Sequence, residues 1–255
     1  LMENIYPEAE PQLVRSGNEL WLVWPDDNPG RDTVNRTQLR YSVQKDGVWQ
    51  EPVWIDDDGT ADFSPAVAAV ENGILMAWHN ISKPITEEEG LEGMLKNSEI
   101  SVSESAFTAD GSSPGIITLT NDESIDHSPI LASNGTKALL VWTKSEELGL
   151  SINGDENMKL KQGSQLYYSE WSSGTWSAPA PIGSNSTTVL NASLSMEGEQ
   201  GLLIYTLDLD NNLYTNEDQE VYARVYDGSS WGEAIRLSDN NMMDSAPKAV
   251  YVDGQ

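Results

Sequence analysis

The run Ile74-Leu75-Met76-Ala77-Trp78 decides the fold, because the chain repeats it. Its counterparts are LWLVW at 20–24, ALLVW at 138–142 and LLIY at 202–205. Each closes on a large aromatic: Trp24, Trp78, Trp142 and Tyr205. A short continuous apolar run suits a strand covered on both faces. Thirteen residues before these aromatics stand Pro11, Pro65, Pro129 and Ala192, and Pro247 continues the series. Ten residues before the last four of these anchors stand Ile55, Leu119, Ile182 and Leu237. Six residues before three of those stand Trp49, Trp176 and Trp231. Fixed offsets held over four copies identify an internal repeat.

Each unit reads as four short strands. The first follows the anchor (PQLVR, PAVAAV, PILAS, PKAVYV), and the second is the apolar run. The third alternates polar and apolar residues (QLRYS, EISVS, QLYYS, EVYAR), the pattern of a half-buried strand. The fourth carries the Trp and ends at the Ile or Leu. Turn signals such as SGN, ENG, KDG and SSG separate them. TEEEGLEGML (86–95) has helical composition, but Gly90 and Gly93 interrupt it, so at most one helical turn is expected. Four-stranded units stacked side by side predict an all-β chain: a β-propeller segment of antiparallel blades with sixteen core strands. The complete repeats span approximately 11–55, 65–119, 129–182 and 192–237, and 247–255 starts a fifth. Leu1 lies ten residues before Pro11, where a preceding blade's outer strand would end. Residues 1–255 therefore read as a fragment of a longer polypeptide with about five to seven blades, since a propeller closes its edges in a ring.

The segments SVQKDGVW (42–49), SEWSSGTW (169–176) and RVYDGSSW (224–231) fall on the hairpin between the third and fourth strands. They resemble the S-x-D-x-G-x-T-W boxes of sialidase-type propellers. Ser42 and Ser169 match the box serine, whereas Gln44, Trp171 and Tyr226 stand where its aspartate belongs. The resemblance implies the propeller fold. A sialidase-like activity would also need clustered arginines to grip a sugar carboxylate, and the six arginines do not recur at inner-strand positions.

Asp and Glu total 41 against 14 Lys and Arg, a formal charge of -27. Such a surface repels phosphate, which argues against nucleic acid and against an anionic membrane. There is no Cys, which excludes disulfides, thiolate metal sites and a Cys nucleophile. No apolar run is long enough to cross a bilayer as a helix.

In such a blade the loops joining strands two and three, and those joining strand four to the next blade, emerge on one face. Three residues before the anchors sit Glu8, Asp62, Asp126 and Asp244, with Val189 in the fourth unit. They predict a broken carboxylate ring at the mouth of the channel, and Asp62, Asp126 and Asp244 are the candidate catalytic acids. Close carboxylates raise one another's pKa unless a cation neutralises them. The competing reading is that each Asp caps a turn. His79, Asn80, His127 and Asp126 form the candidate ligand-binding group, and two His with a carboxylate can also hold a transition metal. Asp208, Asp210 and Asn212 stand at alternate positions, as in a calcium loop, although Leu213 and Gln219 depart from the EF-hand pattern.

The leading expectation is a non-catalytic extracellular or cell-surface propeller. It would bind a glycan or protein partner through its acidic loop face with calcium as the assisting cofactor, and would be joined to the rest of its own polypeptide. The alternatives are a glycoside hydrolase of sialidase-like type and a structural spacer in a large surface protein.

Overall fold

The computed structural model describes residues 10–104, 106–109, 114–146, 163–184 and 187–252. Glu8, and most of the loop between the second and third strands of the third unit, lie outside the described residues. The chain forms four antiparallel sheets in sequence order. The first contains β1 (Gln12–Ser16), β2 (Glu19–Asp27), β3 (Thr37–Lys45) and β4 (Val48–Trp49), with β5 (Val53–Trp54) also on β3. The second contains β6 (Asp62–Val70), β7 (Gly73–Ile81), β8 (Ser98–Ser103) and β9 (Ile116–Thr118). The third contains β10 (Ile125–Ser133), β11 (Lys137–Ser145), β12 (Ser164–Ser172) and β13 (Thr175–Trp176), with β14 (Ala180–Pro181) also on β12. The fourth contains β15 (Thr188–Glu197), β16 (Gln200–Asp208), β17 (Gln219–Tyr226) and β18 (Ile235–Arg236). The inner strands β6, β10 and β15 pack on the preceding sheets, which is the blade stacking of a β-propeller.

Two outer strands are each split into two pieces, giving eighteen strands among the described residues where sixteen were expected. The breaks fall at Pro52 and Pro179, which have no N–H with which to continue a ladder. Residues 247–252, where the repeat places the first strand of a further unit, form no strand of their own.

The repeat aromatics occupy equivalent buried places. Trp24, Trp78 and Trp142 are 0% exposed and Tyr205 is 1% exposed. The hairpin serines have a common task. Ser42 Oγ donates to the Gln50 carbonyl and Ser169 Oγ to the Ser177 carbonyl, both at 2.7 Å, and Arg224 reaches Gly232 O equivalently at 2.7 Å. The outer tryptophans reach across blades. Trp176 Nε1 donates to Ser103 O at 2.8 Å, and Trp231 meets Tyr168 edge-on at 5.9 Å.

The second unit has no such Trp. The chain after β8 folds back instead, and Phe107 exchanges backbone hydrogen bonds with Ile74. Phe107 is fully buried against Tyr41 of the first sheet, at 5.6 Å. Only a glycine permits this approach at Gly73, where a Cβ would stand 1.8 Å from Phe107 O.

The expectation of at most one helical turn at 86–95 is corrected by α1 (Gly90–Lys96). The turn leading into the helix is closed by a reciprocal pair: Thr86 N donates to Glu89 Oε2 at 2.9 Å, and Glu89 N donates to Thr86 Oγ1 at 3.3 Å. Gly90 takes φ 50°, and Gly93 lies where a Cβ would meet Glu89 Cβ at 2.6 Å. The two glycines that read as breakers thus fit the turn into the helix and its close packing.

Candidate functional site

The loop face is assembled by a bulge near the start of the inner strands. Between Phe63 and Ala66, His127 and Ile130, and Val189 and Asn191, the inner strand carries one residue more than its partner. In the second and third sheets Ser64-Pro65 and Ser128-Pro129 each oppose a single residue, with the serines at φ 47° and φ 53°. This left-handed backbone before a proline is strained.

Above the bulge the acids meet the repeat aromatics. Trp78 Nε1 donates to Asp62 Oδ1 at 2.7 Å, and Trp142 Nε1 donates to Asp126 Oδ1 at 2.6 Å. Asp62 and Asp126 are 1% and 0% exposed. In the fourth sheet the aromatic is Tyr205, which has no indole N–H, and the acid's place is taken by apolar Val189. Tyr205 accepts instead from Arg224 Nε at 3.3 Å. Asp62 and Asp126 therefore pair with indoles rather than capping turns. Asp244 accepts from Asn240 Nδ2 at 3.0 Å, and its own amide bonds Gln219 O.

Asp62 has close acidic company. One ligand atom each from Asp56, Asp58 and Asp62 lies within 4.8 Å of the others. Burial and then the charges of Asp56 and Asp58 hold Asp62 well above the usual carboxylate range. Burial, followed by the Asp58 charge, pushes Asp56 up to about 6, against the pull of Arg31. Asp62 Oδ2 is buried without a partner. Asp58 is exposed and Asp56 partly buried, so solvent and ligand can reach these two, whereas Asp62 is sealed.

The next inter-blade loop is set the opposite way. Lys144 pairs with Asp122 and also lies 3.4 Å from Asp126 Oδ2. Burial acts to raise Asp122, but hydrogen bonds from Lys144 and Ser124 outweigh it and leave Asp122 below its ordinary value. Asp126 itself is raised, because burial outweighs the opposing lysine.

His79 and His127 lie close enough to one another that His127 disfavours a charge on His79. Burial, chiefly, lowers His79 to about 3, and burial lowers His127 to about 4, so both imidazoles are neutral above pH 5. His79 Nε2 is 3.0 Å from Ser98 Oγ, and its ring lies 5.5 Å from Phe63. His127 Nδ1 is 2.9 Å from Ser128 Oγ. Asn80 is tied inward, accepting from Thr60 Oγ1 at 3.1 Å and donating to Ser101 Oγ at 3.0 Å. Among the described residues the histidines belong to no group close enough to share a metal ion.

Three features went unread in the sequence. The run Asp56-Asp57-Asp58 six residues before Asp62 was the visible sign of the acidic cluster. The Gln or Glu at the second residue of each third strand was another. Glu99 accepts from Thr120 Oγ1 and Asp122 N, Glu220 accepts from Ser238 Oγ and Asn240 N, and Gln165 donates to Gly183 O. Gln38 likewise donates to Asp56 O. These side chains staple each third strand to the inter-blade loop that follows it. The third is Asp218, which joins Asp208 and Asp210 in the place expected for Asn212. Asn212 gives its amide N–H to Asp208 and Asp210, while its side chain accepts from Tyr214 N.

No protein-family model matches the sequence, and no curated protein matches it. Solved structures share its fold. A Penicillium chrysogenum α-L-arabinanase complexed with arabinobiose matches with a TM-score of 0.62 at 14% identity, over 98% of this chain and 72% of that one. A Fusarium graminearum GH93 α-L-arabinofuranosidase, also with arabinobiose, matches with a TM-score of 0.58 at 13% identity, over 96% and 70%. A PL25 ulvan lyase bound to -[GlcA(1-4)Rha3S]- matches with a TM-score of 0.59 at 9% identity, over 92% and 59%. These likenesses support a propeller and not the sialidase type in particular. They also overturn the expectation of a non-catalytic binder, because the folds matched are those of carbohydrate-cleaving enzymes.

Proposed function

We propose that this chain is a glycoside hydrolase that cleaves a neutral polysaccharide or oligosaccharide at the loop face. The observation that carries the reading is the opposite setting of carboxyl groups in successive inter-blade loops of that face. Asp56 is held toward its protonated form by burial and then by the Asp58 charge, and Asp122 is held ionised by its hydrogen bonds from Lys144 and Ser124. Glycosidic cleavage needs one carboxylic acid to protonate the leaving oxygen and one carboxylate to act as nucleophile or base.

Asp56 is the general acid in this reading. Burial, followed by the Asp58 charge, raises its proton affinity toward the neutral range that a general acid needs. Asp122 is the ionised partner. Asp62 and Asp126 are sealed from solvent, so they act as positioning residues that fix these two through the shared cluster and Lys144. The neutral imidazoles of His79 and His127 offer hydrogen bonds to sugar hydroxyls without adding charge. The arabinobiose complexes of the structural neighbours support a pentose-containing substrate. A polymer substrate, an acidic surface and the absence of cysteine fit an extracellular enzyme.

The test is reducing-sugar release from arabinan and a panel of other neutral polysaccharides. Asp56→Asn and Asp122→Asn should each lower turnover by about 10²–10⁴-fold. No turnover by the wild-type chain on the panel, or turnover that survives both substitutions, refutes the proposal.

A further inference from the structure

We propose that Asp208, Asp210 and Asp218 form a calcium site that fastens the loop between β16 and β17, apart from the acids assigned to catalysis. The three residues end the β16 strand and span the loop 209–218. One oxygen of each lies within 4.8 Å of the others, close enough for all three to bind one ion.

The second observation is a buried oxygen without a partner. Asp208 is 0% exposed. Its Oδ1 accepts from Asn212 N at 3.0 Å, but its Oδ2 is sealed from solvent with no hydrogen bond. Asp218 Oδ1 is likewise buried and unbonded, while its Oδ2 accepts from Asp210 N at 2.8 Å. An unpaired buried carboxylate oxygen is a large penalty unless a cation or a proton answers it.

The surroundings decide between those two answers. In the Asp56–Asp58–Asp62 cluster, Arg31 lies close enough to offset part of the charge, and the Trp78 indole bonds Asp62. Around Asp208, Asp210 and Asp218 no lysine or arginine forms an ion pair among the described residues, and the neighbouring charges felt by Asp208 are all negative. Three carboxylates with two idle buried oxygens are a hard-oxygen donor set. Calcium accepts such a set with loop carbonyls and waters filling the remaining positions, whereas magnesium demands tighter octahedral geometry and holds its waters.

The experiment uses the full chain after treatment with a chelator. Calorimetric titration with calcium chloride should show one equivalent bound. Thermal unfolding at a calcium concentration a hundredfold above Kd should rise by about 5–10 °C. Magnesium chloride, and sodium chloride at matched ionic strength, should do much less. Asp208→Asn should abolish both signals. Asp210 is exposed, so Asp210→Ala leaves the fold intact, and it should weaken binding at least tenfold even if the Asp208 variant does not fold. Asp56→Asn should leave calcium binding unchanged, which separates this site from the catalytic reading. Equal stabilisation by calcium and sodium overturns the proposal. So does calcium binding that survives Asp210→Ala, or that is lost in Asp56→Asn.

Discussion

Changing Asp56 to Asn keeps the shape of the side chain and removes its charge. The unfolded chain binds the Asp56 proton with an ordinary pKa near 3.8, and the folded chain binds it with a pKa of about 6. A group raised in this way favours folding below 3.8, and that advantage is lost as pH rises toward 6. At neutral pH the ionised Asp56 is therefore a liability of up to about 3 kcal/mol. Solvent reaching this partly buried group, and its coupling to the neighbouring acids, reduce the expected figure to about 1–2 kcal/mol. Asp56→Asn should be more stable than the wild type by that amount at pH 7.5 and equally stable at pH 3, although it has lost turnover. Urea unfolding followed by tryptophan fluorescence at the two pH values measures the difference. A variant that is destabilised at pH 7.5, or stabilised equally at both pH values, would refute the assignment of a raised pKa to the cluster.

Three further outcomes follow from the same geometry. A double-mutant cycle of Trp142→Phe with Asp126→Asn should give a coupling of about 1.5–3 kcal/mol in urea unfolding, because the indole N–H bonds a buried carboxylate. His127→Gln should flatten part of the acid limb of stability: the unfolded imidazole takes up its proton near 6.5 and the folded one only near 4, so the wild type loses stability across that window as pH falls. Gly73→Ala should cost about 2–4 kcal/mol by the same unfolding measurement, since its Cβ would collide with the Phe107 backbone.

The fold was legible because blade geometry is periodic. A strand covered on both faces must be apolar throughout, so ILMAW and its counterparts stood out, and the tryptophan offsets fixed the register between copies. The departures lay where one residue answers another at a spacing outside the repeat. Thr86 and Glu89 close the turn into a helix that its glycines disguise. Phe107 replaces a missing outer Trp from within an insertion. The site was half legible. Asp62 and Asp126 stood out by their offset, but an offset does not tell that each is sealed with one oxygen on an indole while Asp56 and Asp122 lie nearer solvent. Only the substitution pattern hinted at it, for Val189 stands without an acid where Tyr205 replaces Trp.

The repeated bulge has a consequence for how such a chain can change. Below it, the inner strand alternates in step with the blade interior; above it, the extra residue resets that step. Phe63 and His127 hold corresponding places above the bulge, yet one is an aromatic hydrocarbon and the other a titratable base. The joint lets neighbouring blades present different chemistry at their tips while keeping interchangeable interiors. A ring of near-identical parts can in this way carry an asymmetric workplace, and residues 62–63 and 126–127 are the positions at which a new specificity could be installed without rebuilding the blades beneath.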